Sequence, residues 1–174
     1  MNAVQSIWPP ADHRLSSRET VQAENLERNY RNYRGARKII AEKQCGMGRI
    51  TIERHDRDTG TIAYYAVANV NGQETPLMYC VGHPDARPNR YEISNPLIRN
   101  YFTIASTFVH PRYQRQGVAL ALYTAIIETG ISVKSDWDLN EGSTRLWEKL
   151  MDTLPRRTVI KIGDRYLAKS RPTL

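Results

Sequence analysis

The sequence predicts a mixed α/β (α+β) domain, and three observations lead there. Apolar residues at helical spacing after Ser16 give way to period-two alternation after "QCGMG". Asn71 and Gly72 stand between two alternating runs, where they accept the positive φ values of a tight hairpin turn. Tyr101 to Gly130 then reads as a strand, a basic turn and a helix.

Taken in order, residues 1–15 carry Pro9 and Pro10 and no useful periodicity, and are expected to form an irregular N-terminal arm. Residues 16–174 are expected to form a single domain, since 174 residues supply one full hydrophobic core and would leave two domains small. Ser16 and Glu19 can form a capping box opening a helix expected from about 17 to 43. On it Leu26, Tyr30, Tyr33 and Ile40 make one stripe, Arg31, Arg34 and Lys38 another, and Gly35 is its weak point.

"RITIERH", "TIAYYAVANV" and "ETPLMYCV" read as three strands of an antiparallel meander, and "GHPDARPNR" as an exposed loop. "YFTIASTFV", residues 101–109, is a further strand rich in β-branched and aromatic residues. From Gly117 onward Val118, Leu122, Ala125 and Ile126 share a helical face, and Gly130 can close that helix. "ISVK" is a short strand, Asn140 can cap a helix that Pro155 ends, and "TVIKIG" with "YLAK" make a closing hairpin.

No apolar run approaches the length needed to cross a bilayer, and "MNAVQSIWPPADH" lacks a basic start followed by an apolar stretch, so a cytoplasmic protein without a membrane partner is expected. Cys45 and Cys80 have no metal-ligand spacing around them beyond His83, and no metal is expected. The net charge of +7 favours an anionic ligand or partner, whether nucleic acid, a phosphate-rich cofactor or an acidic protein surface.

The turn in "TFVHPRYQRQGVALALY" is the candidate anion site. A helix starts with amides that lack intrahelical partners and with partial positive charge, and Gly117 lets the backbone come close to a phosphate. Ala119 keeps the next turn thin, and Arg112 and Arg115 add charge from the side.

"VHPRYQRQGVALALY" resembles the acetyl-coenzyme A signature of the GNAT superfamily of N-acetyltransferases, with Val109, Pro111, Gln114, Gly117, Ala119 and Leu122 in the signature positions. "NEGSTRLWEKL" looks like that family's following helix, with Asn140 in the place of the asparagine that faces the coenzyme and Ser143 as the small residue. The resemblance spans about residues 20–170 and implies a mixed, mostly antiparallel central sheet flanked by helices. It implies acetyl-CoA as co-substrate, held by the amides of Arg115, Gln116, Gly117, Val118 and Ala119, with the main chain of Phe108 and Val109 pairing with the pantetheine arm. "SDWDLNEGSTRLWEKL" further looks like acetyltransferase-like proteins encoded by bacteriophages, which implies host cytoplasm and a host protein as target.

Two family features are absent. No glutamate lies between Tyr101 and Val109 to act as base, and Trp147 replaces the helix tyrosine that donates a proton to the departing thiolate. Candidates for proton transfer are Asp136, with Ser135 to orient it or a water, and His110 beside Val109. Asp136 and Asp138 read equally as helix caps, and His110 as a loop histidine. Glu53 and His55 read as a solvated strand face that can also reach an acceptor cleft, and Tyr64, Tyr65, Tyr79, Tyr91 and Tyr101 either line such a cleft or fill a sheet face.

The implied activity is acetyl transfer to a primary amine, with protein lysine or an N-terminus ahead of a small metabolite. Two other readings stand beside it. One is a binding module that keeps the fold but has lost turnover. The other is a nucleic-acid-binding protein using the tyrosines and arginines of "NYRNYRGARK".

Overall fold

A computed structural model describes residues 14–85, 101–136, 138–156 and 158–169. The chain runs α1 (Ser17–Asn32), β1 (Arg37–Cys45), β2 (Gly48–Asp56), β3 (Ile62–Val70), β4 (Gln73–Asp85) and β5 (Tyr101–Val109). A 3-10 turn (Pro111–Tyr113) then leads to α2 (Val118–Glu128), β6 (Ser132–Lys134), α3 (Glu141–Thr153), β7 (Val159–Ile162) and β8 (Arg165–Ala168). The strands form one eight-stranded sheet in the order β1-β2-β3-β4-β5-β6-β8-β7. Every pairing is antiparallel except that of β5 with β6. This is the mixed, mostly antiparallel sheet with flanking helices that the sequence led us to expect.

Local chemistry accounts for the element ends. Ser16 and Glu19 form the full capping box at the start of α1. Asn71 (φ 52°) and Gly72 (φ 81°) make the left-handed turn between β3 and β4. Asn140 Oδ1 accepts from Ser143 N–H at 2.8 Å and caps α3.

Two readings of the sequence need correction. The helix expected to reach residue 43 ends at Asn32, and Arg37–Cys45 is an edge strand that turns tightly into β2, with Cys45 opposite Gly48. Its register shifts between Ile39 and Ala41, which breaks the strand alternation. Ile39 is 65% exposed while Ile40 packs on the core, so the apolar spacing imitates a helix. Similarly, Gly82 to Asp85 belong to β4 and pair with β5 instead of starting the expected loop; the rest of that loop lies outside the described residues, as do the side chains of Tyr91 and Tyr101.

The sheet buries both faces. On one, α1 lays Leu26 and Tyr30 against Ala63, Tyr65, Val67 and Phe108. On the other, α2 and α3 pack Leu122, Ile126, Trp147 and Leu150 against Ile50, Ile52, Tyr64, Met78 and Val133. Each such fully buried aliphatic side chain contributes about 1.5–3 kcal/mol. Tyr64 and Tyr65 therefore fill opposite faces, as β alternation requires.

Among the described residues no helix is long and apolar enough to cross a membrane.

Candidate functional site

The sheet divides between β5 and β6. These strands pair only at Tyr101 with Ser132, Phe102 with Val133 and Thr103 with Lys134. Beyond Thr103, β5 continues beside β4 as far as Val109, which is opposite Met78. The chain after β6 turns the other way: Ser135 N–H donates to Tyr166 O at 2.9 Å, Tyr166 N–H donates to Ser135 Oγ at 2.9 Å, and Arg165 Nη2 donates to Ser135 O at 2.7 Å. Each strand thus keeps its outer neighbour, and the edge of β5 from Ile104 to Val109 has no β6 partner.

A register skip between Val81 and Gly82 leaves Ala105 as the extra residue of β5. It reverses which residues face which layer, so Phe102 and Ile104 join the α2 side, and Phe108 the α1 side. Gly82 is required here, because a Cβ on it would lie 2.2 Å from the Thr103 carbonyl oxygen. Thr107 faces α2 and shares a 2.9 Å hydrogen bond with the Tyr123 hydroxyl, which ties the open half of β5 to the helix. Burial pushes the Tyr123 hydroxyl well above its ordinary pKa, with Cys80 and then Asp136 adding in the same direction. Asp136, half-buried, therefore lies within electrostatic reach of this bond.

The turn follows directly. His110 N–H donates to Leu77 O at 2.9 Å, and Pro111 and Tyr113 are buried beneath the turn. Gln114, Arg115 and Gly117 are exposed, and Gln116, Ala119 and Leu120 partly so. Gln114 N–H meets Pro111 O at 3.3 Å, and its side-chain nitrogen makes a long 3.5 Å contact with Val109 O. Gly117 has φ 78° and caps α2 without any side-chain hydrogen bond. Ala121 N–H bonds to Gly117 O at 3.0 Å. The amides before it at the helix start have no i−4 carbonyl to use. Among the described residues a Cβ on Gly117 would meet only Cys45 Cβ, at 3.8 Å, so they leave the mouth of the helix open.

These features fit an extended anionic ligand. The helix start offers amides without i−4 partners and positive potential to a diphosphate, and the β5 edge, unpaired by β6 from Ile104 to Val109, offers a ladder to an arm bearing amides. Residues 77–152 match the family model described as Acetyltransferase (GNAT) family. The matched stretch, less than half of the chain, begins in β4 and takes in β5, the turn, α2, β6 and nearly all of α3. The match supports the GNAT superfamily and, in general terms, acetyl transfer with acetyl-CoA as donor. No curated protein matches the chain.

The other sequence-predicted residues fall as follows. Phe108 is buried under α1 and Val109 is half-buried at the end of β5. Ser135 is fully buried, and its hydroxyl, besides accepting from Tyr166, donates to Asp136 O at 3.1 Å, the backbone rather than the carboxylate. His110 Nδ1 accepts Arg112 N–H at 3.1 Å, which places the imidazole proton on Nε2. Burial, aided by the Arg112 charge, lowers its pKa, so at neutral pH it is an uncharged donor whose acceptor nitrogen is in use. Asn140 and Ser143 occupy the first turn of α3, with the Asn140 oxygen engaged as the cap. Trp147 is 1% exposed, stacked on Tyr166 with centroids 5.7 Å apart.

Glu53 and His55 are not on a solvated face. They are 4% and 0% exposed, joined by a 2.8 Å contact between Oε2 and Nε2. Tyr30 donates to Glu53 Oε1 at 3.1 Å, and the Tyr33 ring stacks on His55 at 4.3 Å. Helix α1 has covered them. The register Glu53, Tyr65, Tyr79, Phe108 runs across β2 to β5, so this pair lies three strands from the open edge.

Among the described residues no group of three or more His, Cys, Asp or Glu is placed to hold a metal ion. The residues that sequence reasoning missed are Tyr123 and Gly82. Their signals were a hydroxyl on an otherwise apolar helix face and a glycine directly after the apolar strand segment Leu77–Val81.

Proposed function

We propose that this chain is an N-acetyltransferase that moves an acetyl group from acetyl-CoA to a primary amine. The observation that carries this reading is the start of α2, where Gly117 makes no side-chain cap, following directly on the β5 edge that β6 leaves unpaired. Backbone amides from Arg115 to Ala119 hold the diphosphate, with Arg112 and Arg115 adding charge. The main chain around Phe108 and Val109 pairs with the pantetheine arm. Asn140 and Ser143 border the site from α3. When bound, the thioester supplies an activated acetyl group with a good leaving group.

The acceptor amine must be neutral to attack, yet a free lysine has a pKa of about 10.4. Asp136 takes that proton, directly or through a water, because it follows the strand end that borders the gap. Ser135 fixes the backbone of Asp136 through its buried bonds to Tyr166. Asp138 and Asp164 line a cleft of 280 Å³ with Lys161 and Tyr166 at the same sheet end, where Tyr166 pairs with Ser135. Carboxylates there favour an acceptor that arrives as a cationic amine, and among such amines we place a protein lysine or N-terminus ahead of a small metabolite. The likeness to phage-encoded proteins makes a host protein, met in host cytoplasm, the favoured target.

Burial of Trp147 in the core favours one second reading, a binding module with the fold but no turnover. Nucleic-acid binding through α1 loses support, since Tyr30 and Tyr33 are spent on Glu53 and His55 instead of offering free ring faces. Thiol release from acetyl-CoA, measured with polyamines, lysine peptides and N-terminal peptides, tests the proposal. Amine-dependent release that Asp136→Asn lowers about a hundredfold supports the enzyme. Coenzyme binding without release for any amine leaves the module.

A further inference from the structure

The turn before α2 is braced from outside its own segment as well as from within. Arg115 has φ 60° and Gly117 φ 78°, two left-handed residues flanking Gln116. A non-glycine residue persists at such an angle when its surroundings fix it. One contact that braces this turn comes from the β1–β2 hairpin, outside the family match: Gly46 N–H donates to Gln116 O at 2.7 Å.

Gly46 and Gln116 are in close contact. A Cβ on Gly46 would lie 2.4 Å from Gln116 Oε1, 3.1 Å from Gln116 O and 3.2 Å from Gln116 Cα. Cys45 Cβ approaches Gly117, and Lys43 forms an ion pair with Glu128 at the other end of α2. Strand β1 thus grips the helix at both ends.

A peptide unit is planar and trans, so its C=O and N–H point in opposite directions. Binding the Gln116 carbonyl to Gly46 therefore aims the Gly117 N–H away from the hairpin, toward the mouth of α2. If that peptide were to rotate, the site would present a carbonyl oxygen to an anion. From this relationship we infer that Gly46 is a positioning residue for the diphosphate: it orients the Gln116–Gly117 peptide and touches no ligand itself. The inference rests on the coenzyme reading of this turn.

The test compares coenzyme A with pantetheine, which shares the arm and lacks the diphosphate, in wild type, Gly46→Val, Gly46→Ala and Gly117→Glu. Calorimetry serves the first ligand and NMR titration the weaker second. Gly46 is exposed, and retained circular dichroism and thermal midpoint establish that each variant folds. Gly46→Val is expected to weaken coenzyme A about tenfold, the worth of one charge-assisted hydrogen bond, and to leave pantetheine unchanged. Gly46→Ala gives a smaller loss of the same kind. In turnover, the KM for acetyl-CoA rises and kcat holds. If Gly117→Glu loses coenzyme A while both Gly46 variants keep the wild-type affinity ratio, the hairpin has no positioning role and the inference is overturned. If Gly117→Glu itself binds coenzyme A normally, the coenzyme reading falls first and takes the inference with it.

Discussion

Thr103 and Lys134 are the last residues paired across the parallel seam of the sheet. Past them β5 stays with β4, and the chain leaving β6 joins β8 through Ser135. The gap is thus a competition between neighbours, decided on one side by the three hydrogen bonds that Ser135 makes to Arg165 and Tyr166.

The Ser135 hydroxyl is central to that outcome. In Ser135→Ala the Tyr166 N–H loses its buried acceptor, at a cost of about 1–3 kcal/mol. The thermal midpoint should fall by about 2–10 °C for a chain of this size, measured by calorimetry. An unchanged midpoint would mean that this bond does not hold the strand end.

His110 gives the turn a pH dependence whose sign follows from its lowered pKa. Between the folded value and the ordinary 6.5, the unfolded chain binds a proton that the folded chain does not, so stability rises with pH. The contribution is complete above about pH 6.5 and is lost as pH falls toward the folded value. Denaturant unfolding across this range should show a flatter profile for His110→Asn, which keeps a side-chain acceptor for Arg112 N–H. Parallel profiles would show that His110 titrates as a free imidazole.

The cysteines report on the site from behind. Cys80 is fully buried and its thiol is pushed up to about 12, so it should resist alkylation until the protein unfolds. Cys45 is partly buried and raised by the same cause, and should react slowly. Because Cys45 adjoins Gly117, coenzyme A at the turn is expected to slow its alkylation further, by mass spectrometry of the labelled peptides. Equal labelling with and without coenzyme would place the ligand elsewhere.

The parts of the fold that were legible in the sequence are those fixed by local chemistry. Asn71 and Gly72, the Ser16 capping box, Gly117 and the Asn140 cap each announce a backbone geometry through residue type alone. Strand β1 was hidden because the register break at Ile40 scrambled its alternation. The burial of Glu53 and His55 depends on Tyr30, a partner distant in sequence, and period-two spacing does not say which face a helix will cover. Likewise the seam between β5 and β6 is a non-local decision. The turn at Gly117 could be read from its own residues, whereas its support by Gly46 could not.

The account depends most on backbone amides at the start of α2 receiving a diphosphate. Calorimetric titration of acetyl-CoA into wild type and Gly117→Glu tests this, with Gly117→Asn as a neutral control that tolerates the left-handed backbone. Binding should fall by more than about tenfold in the glutamate variant, whose carboxylate stands where phosphate docks, and far less in the asparagine variant. Equal affinity in wild type and Gly117→Glu would contradict the account.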